Sequence, residues 1–215
     1  MMEALILYFV LFFPGVYVTG LSGRETVPFS LLGELGRTVT YTLPSLALLW
    51  YLITDKKGFS SFSEIKPHKA DFYSLAPGFP GLILIGVLIS LLARLLSPYT
   101  GIDMPPGVKG PENLQGYIVI VFSCLFTGYL EESYFRYYLL TRLELVIPNT
   151  LIQIMLSSFL FALCHVYEGP WGIINAALAG VFLSVLYLRF RAIHGIAWAH
   201  GAYNIFVYAM GNFSV

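Results

Sequence analysis

Apolar residues follow one another in long runs along most of the chain, and polar positions are confined to short stretches between the runs. A membrane-spanning helix needs about 20 mostly apolar residues. Seven segments approach that length, although several are short or interrupted: residues 2–20, 38–53, 78–97, 117–140, 150–166, 173–189 and 192–210. The pattern therefore predicts an all-α fold, a polytopic membrane bundle of about seven transmembrane helices.

Composition supports a membrane protein rather than a soluble one. The chain has 215 residues, of which 57% are hydrophobic and 11% charged, and its mean hydropathy is +0.75. Soluble domains carry about 25% charged residues. A formal net charge of zero argues against a nucleic-acid partner. We predict a single transmembrane domain over residues 1–215, a multi-pass integral protein whose surroundings are the lipid bilayer.

Basic residues give a modest signal for orientation. The predicted loop 54–77 holds Lys56, Lys57, Lys66 and Lys69, and basic loops are preferentially cytoplasmic. Seven alternating spans then place the N-terminus inside and the C-terminus outside. The Pro- and Gly-rich loop 98–116 is extracytoplasmic in this arrangement.

Two adjacent glutamates interrupt the apolar segment 117–140. An ionisable group within a membrane segment costs several kcal/mol, which makes it a functional-site hypothesis. Glu132 and Arg136 are four residues apart, so on a helix they can pair. Glu131 points about 100° away from that pair. Glu131 is therefore the carboxylate without a local counter-ion, and a purely structural salt-bridged cluster explains only one of the two glutamates.

Two later segments carry further polar groups. His165 lies near the end of the fifth segment, and His200 and Asn204 are four residues apart in the seventh. With a rise of about 1.5 Å per residue, all three lie near the depth of Glu131, around the middle of the membrane. We expect the four residues to share one pocket. Structural alternatives are an interfacial role for His165 and an interhelical hydrogen bond for Asn204.

Hydrolysis is the chemistry that suits these groups. A carboxylate in an apolar pocket is a usable general base, so Glu131 with one of the histidines can activate a water molecule. The other histidine and the Asn204 amide can donate hydrogen bonds to the developing oxyanion. No covalent nucleophile is required. We expect the three aspartates to fall in loops, which excludes an aspartyl dyad within the bilayer; they are Asp55, Asp71 and Asp103.

The order of the motifs resembles a known family. The patterns EExxxR (Glu131–Arg136), FxxxH (Phe161–His165) and HxxxN (His200–Asn204) occupy separate apolar segments. Together they resemble the CPBP intramembrane proteases, which include the type II CAAX prenyl endopeptidases and the bacterial Abi proteins linked to bacteriocin processing and immunity. The resemblance covers residues 117–210, which we take as a CPBP-like catalytic core.

The resemblance implies a role for each catalytic residue. Glu131 would be the water-activating glutamate, acting with His165, and His200 with Asn204 would stabilise the oxyanion. It also implies a glutamic-type peptidase without a cofactor, acting on a membrane-anchored protein or peptide near its anchor or a C-terminal processing signal. The expected location is a prokaryotic plasma membrane.

The same resemblance makes Glu132 and Arg136 supporting residues that fix the helix. Two alternatives remain open. In the first, the protease depends on zinc, with Glu131, His165 and His200 as three ligands and an open position for water. In the second, the chain is a non-catalytic membrane immunity or scaffold protein.

Overall fold

A computed structural model describes residues 2–13, 29–55, 66–103 and 107–211. Within these ranges the chain forms seven helices and no strand, so the prediction of an all-α fold is confirmed. The helices, with π-helical stretches in two of them, are α1 (Met2–Leu11), α2 (Leu31–Arg37, π-helical Thr38–Thr42 and Leu43–Asp55), α3 (Lys69–Thr100), α4 (Leu114–Glu132, π-helical Ser133–Leu139 and Leu140–Glu144), α5 (Thr150–Leu163), α6 (Gly169–Phe190) and α7 (Ile193–Gly211).

Three of the described helices are long and apolar enough to cross a membrane. They are α3, α4 and the stretch Val166–Phe190, which contains α6, while α1 and α5 are apolar but shorter. These lengths and compositions support an integral membrane protein. They confirm the predicted count of about seven transmembrane helices only in part.

α7 lies along both α3 and α4, and α6 lies along both α3 and α5. We call the end of the bundle that holds Gly211 the C-terminal end; residues 107–110 lie there, against Gly211. The turn after α5 lies at the same end, because α4 starts there and α5 returns to it. Glu3 lies toward the opposite end, where its carboxylate accepts a hydrogen bond of 2.9 Å from the Tyr138 hydroxyl. Lys56 and Lys57, on which the orientation prediction partly rests, lie outside the described residues.

α4 and α7 approach each other closely at two glycines. A Cβ atom added at Gly128 would lie 2.8 Å from the carbonyl oxygen of Ala197 and 3.0 Å from the backbone nitrogen of Gly201. Small residues at helix crossings allow this kind of backbone contact in membrane bundles. The contact brings the two helices that carry Glu131 and His200 side by side.

We expect Gly128→Ala to destabilise the protein by about 1–3 kcal/mol, because the new methyl group would meet backbone atoms that cannot move aside. Thermal unfolding of the purified protein in detergent measures the effect. Gly36→Ala is the matched control, since nothing lies within 4 Å of a Cβ atom placed at Gly36. Equal melting temperatures for the two variants would contradict the assigned contact.

The start of α3 corrects the predicted loop 54–77. The helix begins at Lys69 and runs through Pro77 and Pro80, so the second half of that loop is helical. A proline removes a single backbone hydrogen bond, and a reciprocal capping interaction between His68 and Asp71 fixes the helix start. At its other end the helix continues to Thr100, which shortens the predicted loop 98–116.

The prediction that Asp71 falls in a loop is also wrong. It lies in the first turn of α3 and is fully buried. Its carboxylate accepts hydrogen bonds from the backbone nitrogens of His68 at 2.8 Å and Gly195 at 3.0 Å. Its burial is therefore explained by capping α3 and holding the start of α7. Asp55 is likewise helical, as the last residue of α2.

Candidate active site

The site is built where α4 changes its winding. The helix is regular up to Glu132 and π-helical from Ser133 to Leu139. Single π-helical turns inside α-helices occur frequently at functional sites. A regular helix was expected here from the sequence. The transition falls between Glu132 and Arg136, so the two ends of the EExxxR motif lie in differently wound segments.

Glu132 and Arg136 form a completely buried ion pair. Arg136 Nη1 donates to Glu132 Oε1 at 3.1 Å, and neither side chain is exposed. The pairing expected from the spacing is therefore present. Arg136 also donates through Nη2 to the carbonyl oxygen of Gly180 on α6 at 3.3 Å. Its guanidinium carbon lies 4.4 Å from the ring centroid of Phe161, so Arg136 connects α4 to both α5 and α6.

Glu132 has a second partner that the sequence analysis did not foresee. His200 Nδ1 lies 2.7 Å from Glu132 Oε1. An ionised carboxylate only accepts hydrogen bonds, so Nδ1 carries the proton and donates it. The other ring nitrogen, Nε2, is 3.6 Å from Glu131 Oε2. Glu132 thus fixes the orientation of His200 across 68 residues of sequence and directs Nε2 toward Glu131.

Charge balance favours a protonated His200 in this cluster. Glu131 and Glu132 bring two negative charges, whereas Arg136 brings one positive charge. Buried charges are tolerated when they are paired and hydrogen-bonded. Protonation of His200 makes the four groups neutral together, with Nδ1–H donating to Glu132 and Nε2–H facing Glu131.

Glu131 is the more accessible of the two glutamates. Its side chain is 17% exposed, against 0% for Glu132. Within the described ranges it makes no hydrogen bond, and its charge acts on Tyr41 of α2 and on Tyr167 of the turn after α5. The carboxylate therefore lies near α2 and that turn, in addition to its contact with His200 of α7.

His165 lies just beyond the end of α5, which stops at Leu163, in a turn rather than in the helix. Its Nδ1 lies 2.9 Å from the carbonyl oxygen of Phe161. A carbonyl only accepts, so Nδ1 carries the proton, and in the neutral ring Nε2 keeps its lone pair. This tautomer leaves Nε2 available to accept a hydrogen bond from water.

Phe161 connects the two histidines. Its ring centroid is 4.7 Å from the His165 ring and 5.9 Å from the His200 ring, and Phe161 itself is buried. The sequence analysis noted Phe161 only as the first letter of FxxxH. Its spacing of four residues from His165 was the available signal, because that spacing lets the Phe161 carbonyl reach the imidazole.

The structure brings the predicted site residues together to different degrees. Glu131 and His200 are in direct contact, and His165 joins them through Phe161. No contact between Glu131 and His165 is recorded in the described part of the chain. Asn204 is half-buried one helical turn after His200 and makes no recorded hydrogen bond within the same ranges. The catalytic roles of these residues remain predictions.

A metal-binding arrangement is not found among the described residues. No group of three or more His, Cys, Asp or Glu side chains there has positions that could hold a metal ion. Glu131, His165 and His200, the three ligands of the zinc alternative, therefore do not form such a group.

Comparison with known proteins identifies the segment that carries the site. Residues 113–206 match the family model of the type II CAAX prenyl endopeptidases, described as Rce1-like. The family resemblance is confirmed. The Rce1-like segment covers nearly all of α4 to α7 and contains all six predicted site residues. No curated protein and no solved structure matches the chain. The match of this segment to the Rce1-like family supports peptidase activity.

Proposed function

We propose that this protein is an intramembrane endopeptidase that hydrolyses a peptide bond near a membrane anchor or a C-terminal processing signal. The observation that carries the proposal is the pairing of Glu131 with His200. A partly exposed carboxylate inside an apolar bundle lies 3.6 Å from an imidazole, and the other nitrogen of that imidazole is held at 2.7 Å by a fully buried glutamate. The substrate class is a membrane-anchored protein or peptide, prenylated proteins included.

Glu131 acts as the general base in this mechanism. Its carboxylate removes a proton from a water molecule while the water oxygen attacks the carbonyl carbon of the scissile bond. His165 orients the water, because its Nε2 can accept the second hydrogen. Glu131 then passes the proton to the amide nitrogen, the C–N bond breaks, and the carboxylate is regenerated. The products are a carboxylic acid and an amine, and one water molecule is consumed.

His200 and Asn204 stabilise the oxyanion of the tetrahedral intermediate. Nε2–H of a protonated His200 and the side-chain NH2 of Asn204 are donors one helical turn apart on α7. Donors fixed in advance are effective because they need no reorganisation as charge develops. Glu132 supplies that fixation by holding Nδ1 of His200, and Arg136 keeps Glu132 in place. The supporting residues therefore act on catalysis through His200.

Reconstitution tests the function and separates it from the zinc alternative. We expect the purified protein in liposomes to cut a lipid-anchored reporter peptide, and we expect the rate to be unchanged after treatment with EDTA and 1,10-phenanthroline. Mass spectrometry of the released fragments identifies the bond, and elemental analysis of the same sample measures bound zinc. Loss of activity on chelation with recovery on adding zinc would replace this mechanism by the metal-dependent one.

A complete absence of cleavage would favour the non-catalytic alternative. The reporter must carry a free C-terminal segment beyond the anchor, because the proposed cleavage lies near a membrane anchor or a C-terminal processing signal. A variant of the protein with Glu131→Gln, reconstituted in parallel, shows how much of any cleavage is due to contaminating proteases.

A further inference from the structure

A second polar cluster lies on the same face of α4 as Glu131. Arg37 on α2 donates through Nη2 to Glu34 Oε2 at 2.7 Å and to Ser123 Oγ at 2.8 Å, and through Nη1 to Thr127 Oγ1 at 3.4 Å. Ser123 Oγ in turn donates to Glu34 Oε2 at 2.9 Å. The same carboxylate oxygen is therefore bound by an arginine and a serine that belong to different helices.

The cluster lies at a defined distance from the catalytic carboxylate. Ser123, Thr127 and Glu131 are each four residues apart on the regular part of α4, so they line one face of the helix. At about 1.5 Å per residue, Thr127 is about 6 Å and Ser123 about 12 Å from Glu131 along the axis. The Arg37 guanidinium contacts both hydroxyls and therefore lies between these limits, toward the C-terminal end of the bundle.

α7 carries a second row of polar residues beside this cluster. His200, Asn204 and Tyr208 are also four residues apart and lie on one face of α7. His200 faces Glu131, and Tyr208 interacts electrostatically with Glu34 and Arg37. The two polar faces thus run together from the Glu131–His200 contact to the Glu34–Arg37 pair.

We propose that Arg37, with Ser123, binds the terminal carboxylate of the substrate, and that Glu34 occupies this position when no substrate is bound. The proposal rests on the proposed peptidase function and names the chemistry that selects the substrate. An extended peptide spans about 3.3–3.6 Å per residue. A separation of about 6–12 Å therefore accommodates two to four residues between the scissile bond and the carboxylate.

The carboxylate of Glu34 can be exchanged for that of a substrate, because the ion pair is partly exposed and Arg37 has several hydrogen-bond donors. The side chains of Glu34 and Arg37 are 19% and 40% exposed, unlike the fully buried pair formed by Glu132 and Arg136. A guanidinium has five N–H donors in a planar fork that matches a carboxylate. Glu34 can turn away while the incoming carboxylate takes over its hydrogen bonds. Glu34 is thus an intramolecular competitor of the substrate.

Paired substrates that differ only at the C-terminus test the role of Arg37. The probe is an S-farnesyl-cysteinyl peptide with three residues beyond the cysteine, prepared as a free acid and as an amide. We expect the wild type to prefer the acid. Arg37→Gln should raise KM for the acid about 10- to 100-fold, the range expected for a lost hydrogen bond to a charged group, and should leave the amide unaffected. Arg37→Lys keeps the positive charge but lacks the planar guanidinium. Its KM for the acid should therefore fall between that of the wild type and that of Arg37→Gln.

Two further variants separate binding from general electrostatics. Glu34→Ala should lower KM for the acid, because the internal competitor is gone. Lys109→Gln removes one positive charge at the same end of the bundle, and the preference for the acid should persist. An Arg37→Gln variant that slows acid and amide substrates equally, or a wild type that does not distinguish them, overturns the proposal.

A binding measurement tests, independently of turnover, whether Arg37 binds a carboxylate. Thermal stabilisation of the detergent-solubilised protein is compared for a tripeptide acid and the corresponding amide, in the wild type and in Arg37→Gln. The acid should stabilise the wild type more than the amide does, and Arg37→Gln should remove that difference. If the wild type cleaves neither farnesylated substrate, the proposed function is wrong for this substrate class. The tripeptide comparison still shows whether Arg37 binds a carboxylate, and equal stabilisation by acid and amide would show that it does not.

Discussion

Replacement of Glu131 by Gln should lower kcat by about 100- to 10,000-fold, the range that a positioned general base contributes. The amide has nearly the same shape as the carboxylate but cannot take a proton from water. The side chain is partly exposed and makes no hydrogen bond within the described ranges, so the substitution should leave the fold intact. Cleavage of an anchored reporter by the purified variant in liposomes measures the loss.

Glu144→Gln is the matched control for that result. Glu144 lies on the same helix, at its far end, in an ion pair of 2.9 Å with Arg191 that is exposed. Its replacement removes the same charge from α4 without touching the site, so activity should stay close to that of the wild type. If Glu131→Gln retained more than about a tenth of the wild-type kcat, a general-base role for Glu131 would be excluded.

Local contacts in the site follow from sequence spacing, whereas contacts between helices do not. The Glu132–Arg136 pair could be predicted because four residues separate its members on one helix. The Glu132–His200 hydrogen bond depends on how α4 and α7 cross, which spacing within either helix does not determine. Gly128 and Gly201 were a sequence signal for that crossing, and neither was interpreted. The sequence analysis therefore assigned Glu132 too local a role, because it missed the contact with His200.

The ends of the helices were also only partly predictable from the sequence. Hydrophobic runs located the helices, but α3 begins at Lys69, nine residues before the predicted apolar segment 78–97. The capping interaction of Asp71 depends on two backbone nitrogens, one of them on α7, and composition does not reveal it. His165 was placed at the end of a helix, and the structure puts it in the following turn. There its ring direction is set by the Phe161 carbonyl.

The largest effect on stability is expected at the buried ion pair. Glu132→Ala leaves the Arg136 guanidinium without its carboxylate partner, although both side chains were fully buried in the wild type. Removing one partner of a buried pair typically costs about 3–5 kcal/mol. We expect a loss of that size in the free energy of unfolding, measured by denaturant titration in mixed micelles. Glu144→Ala breaks an exposed ion pair and should cost at most about 1 kcal/mol.

A double variant separates the cost of the stranded charge from the role of Glu132 in positioning His200. Arg136→Met removes the uncompensated guanidinium, so Glu132→Ala combined with Arg136→Met should recover part of the lost stability, because no unpaired charge is then buried. Activity should not recover with it, since Nδ1 of His200 still lacks its acceptor. A double variant that regained both stability and cleavage would show that Glu132 serves only to neutralise Arg136. Recovery of stability alone would assign to Glu132 the orientation of the imidazole that faces Glu131.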